Sequence, residues 1–397
     1  MSTPVAVTFA EPLAEHHADD LRRHVYYVSE DIEEFRLIRE GGGVAGVEIS
    51  LTDPGRAEEV ADKVRRLVVD DIARRREMPN RVVWRLPERA TYAPDLAGRL
   101  RAMRAATTTA PGLTAVSGAP LALMEYFDRR FRELARECGA TEVRYPTLIP
   151  TEVLDRCGYI ESFPQLMMFA TRLRGDIDNY RAFTDRHAPG GDVASYVLEH
   201  AGPAEYCLPP ATCFHVYHQH EGMRLPTGRT TVTAAAKVFR HESKYEDGLE
   251  RLWDFTMREI VFIGDRDHVR ERRQALMEKV RALLESHQLS GHCEVGNDPF
   301  FVGADFAAKM TLQSLSESKY ELRLHVAPDR TIACGSFNYH DSFFTSRFDI
   351  SGPDSTDLAT GCVAFGLERL AFAFLCQHGI DPAGWPATVP ADIRCGG

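Results

Sequence analysis

Nowhere do about 18 apolar residues follow one another without a charge, so the sequence offers no helix for crossing a membrane. The opening residues, MSTPVAVTFAEPLAEHHADD, carry no Lys or Arg ahead of an apolar run, and no secretory leader is expected. The nine cysteines, an odd number, are scattered from Cys138 to Cys395 without the dense framework of a small secreted domain. Reduced thiols and a cytoplasmic location are therefore expected. Low-complexity tracts are also missing, and 44% hydrophobic against 26% charged residues allows a sizeable core. Excess positive charge is absent. A net charge of −11 gives the whole chain no electrostatic reason to seek nucleic acid, which counts against a dedicated tRNA binder.

The charge that is present is uneven. Between residues 60 and 104 stand 12 basic residues, among them Lys63, Arg65, Arg66, Arg74, Arg75, Arg76, Arg81 and Arg89, against 6 acids, a local +6 that leaves −17 elsewhere. Two readings stand: a solvated helix face, or a docking patch for an acidic partner.

The length of 397 residues predicts two domains at roughly 150 residues each, or one large core with an appended module. His24 to Leu51 holds two strand-like runs, HVYYVS and VAGVEISL, separated by a short helix and the Gly41-Gly42-Gly43 turn. Arg56 to Arg76 places Ala57, Val60, Val64, Leu67 and Val68 at helical spacing. Residues 1–110 thus read as a small α+β module. The charge-poor stretch 105–117, AATTTAPGLTAVS, reads as a linker, and 118–397 as a catalytic-sized domain. That domain opens with a helix from Pro120 to Cys138 and the strand-like TEVRYP. It continues with a strand-loop-strand hairpin over 234–264 and a helix over Asp267–His287, and CVAFGLERLAFAFLCQHG reads as an apolar helix ending at Gly379.

Three segments concentrate the chemistry. Period two puts Arg240 and Glu242 on one strand face, and Arg251, Phe255 and Glu259 share a face of the return strand. Two arginines, two carboxylates and a ring cost desolvation unless a charged ligand answers them. A nucleotide does: arginine clamps phosphate, phenylalanine stacks on a base, glutamate accepts from an exocyclic amine. Glu368 and Arg369, in GLER, sit where an apolar helix otherwise wants no charge. The third segment closes on Pro146, by itself a turn signal.

In this order the three segments resemble the motifs of class II aminoacyl-tRNA synthetase catalytic domains, over roughly residues 118–390. GYIESFPQLM, LPPATCFHVY, FNYH and TGCVAFGLER more closely resemble the amino acid:[carrier protein] ligases, which are similar to the catalytic core of the atypical archaeal-type seryl-tRNA synthetases. The resemblance implies an α+β fold with a class II synthetase-like antiparallel sheet flanked by helices. It implies activation of a small amino acid with ATP, as an aminoacyl-adenylate, and loading onto the phosphopantetheine arm of a carrier protein, with no tRNA, by a homodimer meeting at the Pro146 motif. It also implies Zn2+ held by Cys213, Glu259 and Cys362, a set that leaves one tetrahedral position for the substrate amine. Cys207 competes with Cys213, and His215, His218 and His220 form a rival set. Arg240 would hold the α-phosphate, Glu242 the adenine amine, Phe255 the base and Arg369 the γ-phosphate end, with Arg251 a second phosphate contact. Mg2+ would bridge the phosphates. Its residue stays open: Ile332 and Ala333 stand where seryl enzymes carry a glutamate, leaving Glu368 or water. Ser336 and Asn338 would line the amino-acid pocket, a turn being the other role for Asn338.

The implied mechanism needs no protein nucleophile: the amino-acid carboxylate attacks the α-phosphate in line, and a thiol then displaces AMP. Two alternatives stand beside it. An atypical seryl-tRNA synthetase is one, although the N-terminal block lacks the sustained heptads of a coiled-coil arm. A catalytically silent paralogue serving as a binding or regulatory module is the other, and retention of the motif residues speaks against silence.

Overall fold

A computed structural model describes residues 4–74, 81–88, 91–242, 248–296, 317–391 and 393. The first core forms around β1 (Val5–Ala14), β2 (Ile32–Glu40) and β3 (Gly43–Leu51), an antiparallel sheet in the order β1-β3-β2. Gly41 and Gly42, at φ of 61° and 82°, make the turn into β3 that residues with a Cβ rarely adopt. Val47, Ile49 and Leu51 alternate into the core, where the helix Ala57–Arg66 lays Val60, Ala61 and Val64 over them. HVYYVS is not a strand. Its start completes the helix Ala18–Val25, which buries Leu21 and Val25, and the segment expected as a short helix is β2. Pairing along β3 overrides the charge-rich composition of IEEFRLIRE.

The second core is built on an eight-stranded sheet. Its members are β4 (Val82–Arg85), β7 (Thr141–Glu142), β11 (Thr230–Phe239), β12 (Asp254–Gly264), β13 (Gly291–Val295), β14 (Lys319–Ala327), β15 (Arg330–Asp341) and β16 (Ala359–Gly366). The remaining described strands are β5 (Ala106–Ala110) and β6 (Leu113–Val116), which form a hairpin, and the small sheet of β8 (Ile149–Pro150), β9 (Met168–Ala170) and β10 (Tyr206–Leu208). The large sheet runs β4-β13-β14-β15-β16-β12-β11-β7, antiparallel except where β7 joins β11. One face carries Ile260, Phe262, Phe337, Val363 and Phe365 against the helices Gly118–Glu137, Arg266–Ser286 and Leu367–His378. Phe131 stacks on Phe365 with ring centroids 3.6 Å apart. By strand alternation the opposite face presents Glu259, Cys362, Ser336 and Asn338.

Three expectations change. Residues 105–117 are not a linker: β5 and β6 pair there around Gly112 at φ 70°. The first core ends at Ile72, whereas β4, Leu86, Leu96 and Leu100 belong to the second, so the cores part before β4 rather than at 110–118. Finally, Cys362–Gly366 is strand, and the helix begins at Leu367. An apolar run buried on both faces carries no period to separate a central strand from a helix.

Candidate active site and metal centre

Cys213 opens the helix Cys213–Gln219, Glu259 lies in β12 and Cys362 in β16. Their ligand atoms all fall within 4.8 Å of one another, the one such His/Cys/Asp/Glu trio among the described residues. All three are buried. Glu259 Oε1 accepts the Thr212 backbone N–H at 3.1 Å, while its Oε2 is buried without a partner. Hydrogen bonding from the Cys213 thiol holds Cys362 well below the ordinary thiol range, and the same bond, then burial, pushes Cys213 well above it. Burial, then the negative Cys362, pushes Glu259 up to about 8. Cys213 and Glu259 hold protons beside the negative Cys362 in this dry pocket until a cation replaces them, so the donor set fits a tetrahedral metal such as zinc.

The competing ligands do not join this group. Cys207 is bonded to the Thr151 hydroxyl, 3.1 Å away. His215 lies flat on the Tyr145 ring with a centroid distance of 5.2 Å, and burial pulls its pKa down to about 4. His218 pairs with Glu221, and His220 Nδ1 donates to the Val216 carbonyl.

Arg240 and Glu242 lie just past the end of β11 and Arg251 just before β12, so they converge through loops rather than on strand faces. Converge they do: Arg251 Nε is 3.2 Å from Glu242 Oε2, Arg369 Nη2 is 3.6 Å from Glu242 Oε1, and the Arg240 guanidinium stands 5.6 Å from the Phe255 ring centre. Arg369 is steered by donating to the carbonyls of Glu250 and Ala333. A recess of about 10 Å³ between Leu249, Leu252, Phe255, Glu368 and Arg369 marks this spot. A wider cleft of about 330 Å³, touching Tyr27, Lys63 and Gln165, contains none of these residues, and the chemistry assigns the site to the smaller one.

Asn338 is in mid-strand rather than in a turn, and its amide donates to Ser336 Oγ at 3.0 Å and to Cys362 Sγ at 3.3 Å. The residues offered for magnesium do not fit it. Both Glu368 oxygens accept the Thr256 N–H at 2.8 Å, and Ile332 and Ala333 bring no side-chain oxygen. The sequence reading missed His340, which hydrogen-bonds Cys362, and Trp253, which binds the Glu242 carbonyl. The FNYH and RLWDF strings were the signals for both.

Four described cations of the 60–104 patch are answered by acids of the chain itself. Lys63 pairs with Glu59, Arg65 with Asp62, Arg74 with Asp70 and Arg81 with Glu317. Arg75, Arg76 and Arg89 lie outside the described residues.

No family model matches the chain. Among curated proteins it is 35% identical over 257 residues to "Amino acid--[acyl-carrier-protein] ligase 1" of Bradyrhizobium diazoefficiens, across 64% of this chain and 76% of that protein. The chain belongs to the amino acid:[carrier protein] ligase family. A "Type-2 serine--tRNA ligase" of Methanococcus aeolicus is 29% identical over 278 residues, and the ligase-family chain spans about half of it (53%), with 67% of its own length matched. In fold it is similar to the M. kandleri SerRS solved with A. aeolicus tRNASec, at TM-score 0.72 and 21% identity, covering 99% of this chain and 78% of that one. It is likewise similar to the Pyrococcus horikoshii seryl-tRNA synthetase complexed with ATP, at TM-score 0.57 and 12% identity, covering 82% and 74%. The family member therefore has a class II synthetase fold. Among the described residues no helix is long and apolar enough to cross a membrane.

Proposed function

We propose that this enzyme condenses a small amino acid with ATP to an aminoacyl-adenylate, releasing pyrophosphate, and passes the aminoacyl group to the phosphopantetheine thiol of a carrier protein, releasing AMP. The observation that carries the reading is the buried Cys213–Glu259–Cys362 trio together with the Arg240, Glu242, Arg251, Phe255 and Arg369 cluster, with Glu259 and Phe255 on one face of β12. Zinc held by the trio would supply a Lewis-acidic anchor for the substrate α-amine. Arg240 and Arg369 bind the triphosphate by bidentate charge-assisted bonds, with Arg251 beside them. Phe255 stacks on adenine and Glu242 accepts from its amine. Ser336 and Asn338 orient the amino acid, so that its carboxylate meets the α-phosphate in line and the step gains from position and electrostatics. No step is assigned to magnesium, because the residues offered for it do not fit.

The acceptor is a carrier protein on the strength of the named relatives, and two subunits meeting near Pro146 complete the reading. A second acceptor, tRNA, is favoured by one observation: the likeness in fold to the M. kandleri SerRS extends over 99% of the chain and so includes the N-terminal unit. Net charge −11 and the paired cations of the 60–104 patch weigh against it. ATP–pyrophosphate exchange over a panel of amino acids, followed by loading of carrier protein and of tRNA, decides between them. Loading of carrier protein alone is expected, and loading of tRNA alone would overturn the acceptor.

A further inference from the structure

Gly112 turns the hairpin between β5 and β6 at φ 70°, and the face it leaves bare is filled by Trp253. A Cβ at residue 112 would fall within 2.6 Å of Cγ, Cδ1 and Cδ2 of that indole, atoms at the root of the ring that no small rotation moves aside. The backbone ties the same two residues together, since Trp253 N–H donates to the Gly112 carbonyl at 2.9 Å.

Trp253 in turn holds both sides of the nucleotide loop. Its carbonyl accepts the Arg240 N–H at 2.9 Å, and its indole N–H donates to the Glu242 carbonyl at 2.6 Å. Its ring rests against His241, with centroids 4.5 Å apart. Arg240 is thus held by the Trp253 main chain and His241 and Glu242 by its side chain, and that side chain is set by a glycine more than a hundred residues earlier. β11 ends at Phe239, so the sheet ladder no longer sets their backbone, and the hairpin takes over that task.

We infer that the β5–β6 hairpin is a positioning element for nucleotide binding, acting through the Gly112–Trp253 contact to aim Arg240 and Glu242. Neither residue needs to touch ATP; their part is to remove the conformational freedom the loop would otherwise lose on binding. The inference rests on the nucleotide reading of Arg240 and Glu242 given above.

The test is ATP binding by the full-length protein, measured calorimetrically without amino acid, with zinc content and the thermal midpoint recorded alongside. Gly112→Ala forces the indole out of place and is expected to weaken ATP on the order of tenfold, the usual scale for one overpacked contact, with zinc unchanged. Trp253→Phe keeps a ring but loses the indole donor, and it is expected to weaken ATP without overpacking anything. Wild-type ATP affinity in both single variants would overturn the positioning role. Failure of the wild-type protein to bind ATP at all would instead overturn the nucleotide reading beneath it.

Discussion

The side-chain amide of Asn338 donates to Cys362 Sγ across 3.3 Å, from the register partner of that cysteine on the neighbouring strand. A second donation to Ser336 Oγ fixes the amide plane, so the sulfur meets a donor held by the sheet itself. Bonds of this kind orient a metal ligand without joining the coordination sphere. Asn338→Leu is therefore expected to lower zinc affinity about 10- to 100-fold, read by competition with a chromogenic chelator. Unchanged affinity would leave Asn338 with the amino-acid pocket alone.

Removal of a ligand should act more bluntly. Cys213→Ala and Cys362→Ala proteins are each expected to purify without stoichiometric zinc, because two remaining donors cannot close a tetrahedral site. Metal analysis checks this, and full zinc in both proteins would remove the site.

Much of this centre was legible because its residues are chemically out of place. The charged pair Arg258 and Glu259 ahead of the apolar run IVFI, and cysteines at Cys213 and Cys362 that match family strings, stand out in one dimension. Asn338, His340 and Trp253 were harder to read, since their roles depend on what lies across a strand gap or beneath a hairpin. Asn338 in SFNYH leaves both a pocket and a turn role open until its register with Cys362 is known.

Loss of Arg240 or Arg369 tests the nucleotide cluster. Each removes a charge-assisted phosphate contact from a recessed site, and Arg240→Ala or Arg369→Ala should reduce pyrophosphate exchange by at least ~100-fold. Near-native circular dichroism must accompany the loss. Exchange at the wild-type rate in either protein would end the assignment of these arginines.

Fold legibility followed periodicity. The helices at Ala57–Arg66, Gly118–Glu137 and Arg266–Ser286 were visible from apolar spacing. Where burial is two-sided, as in β16, or where polar threonines form a hairpin, as in residues 106–116, the one-dimensional pattern carries no direction, and strand pairing decided the outcome.

Arg258 faces away from the site and fastens the helix Gly118–Glu137 to the sheet. Only 2% exposed, it donates to both Asp128 oxygens, at 2.7 and 2.9 Å, and to Thr233 Oγ1. Asp128→Ala leaves that guanidinium without its bidentate partner, and a loss of about 3–5 kcal/mol in urea unfolding is expected. A loss below about 1 kcal/mol would mean that Glu142, 3.6 Å from Arg258, takes over the pairing.

Acid should loosen the second core through His287. Its Nδ1–H donates to the Leu283 carbonyl at 2.7 Å, and its Nε2 lies 2.6 Å from the Tyr126 hydroxyl, which itself donates to the Thr388 carbonyl. Burial, partly offset by the Leu283 bond, lowers its pKa from the ordinary 6.5. Above about pH 6.5 folded and unfolded chains are both neutral at this ring and the group adds no pH dependence. Below it the unfolded chain takes up the proton first and stability falls, until the folded ring also titrates. Urea midpoints at pH 7.5 and pH 5.5 check the sign. The wild-type protein is expected to lose stability at the lower pH, and His287→Gln, though weaker at pH 7.5, should show a smaller drop between the two. The slope does not vanish, because burial also lowers His215, His268 and His325. An equal drop in both proteins would place the acid sensitivity on those other rings.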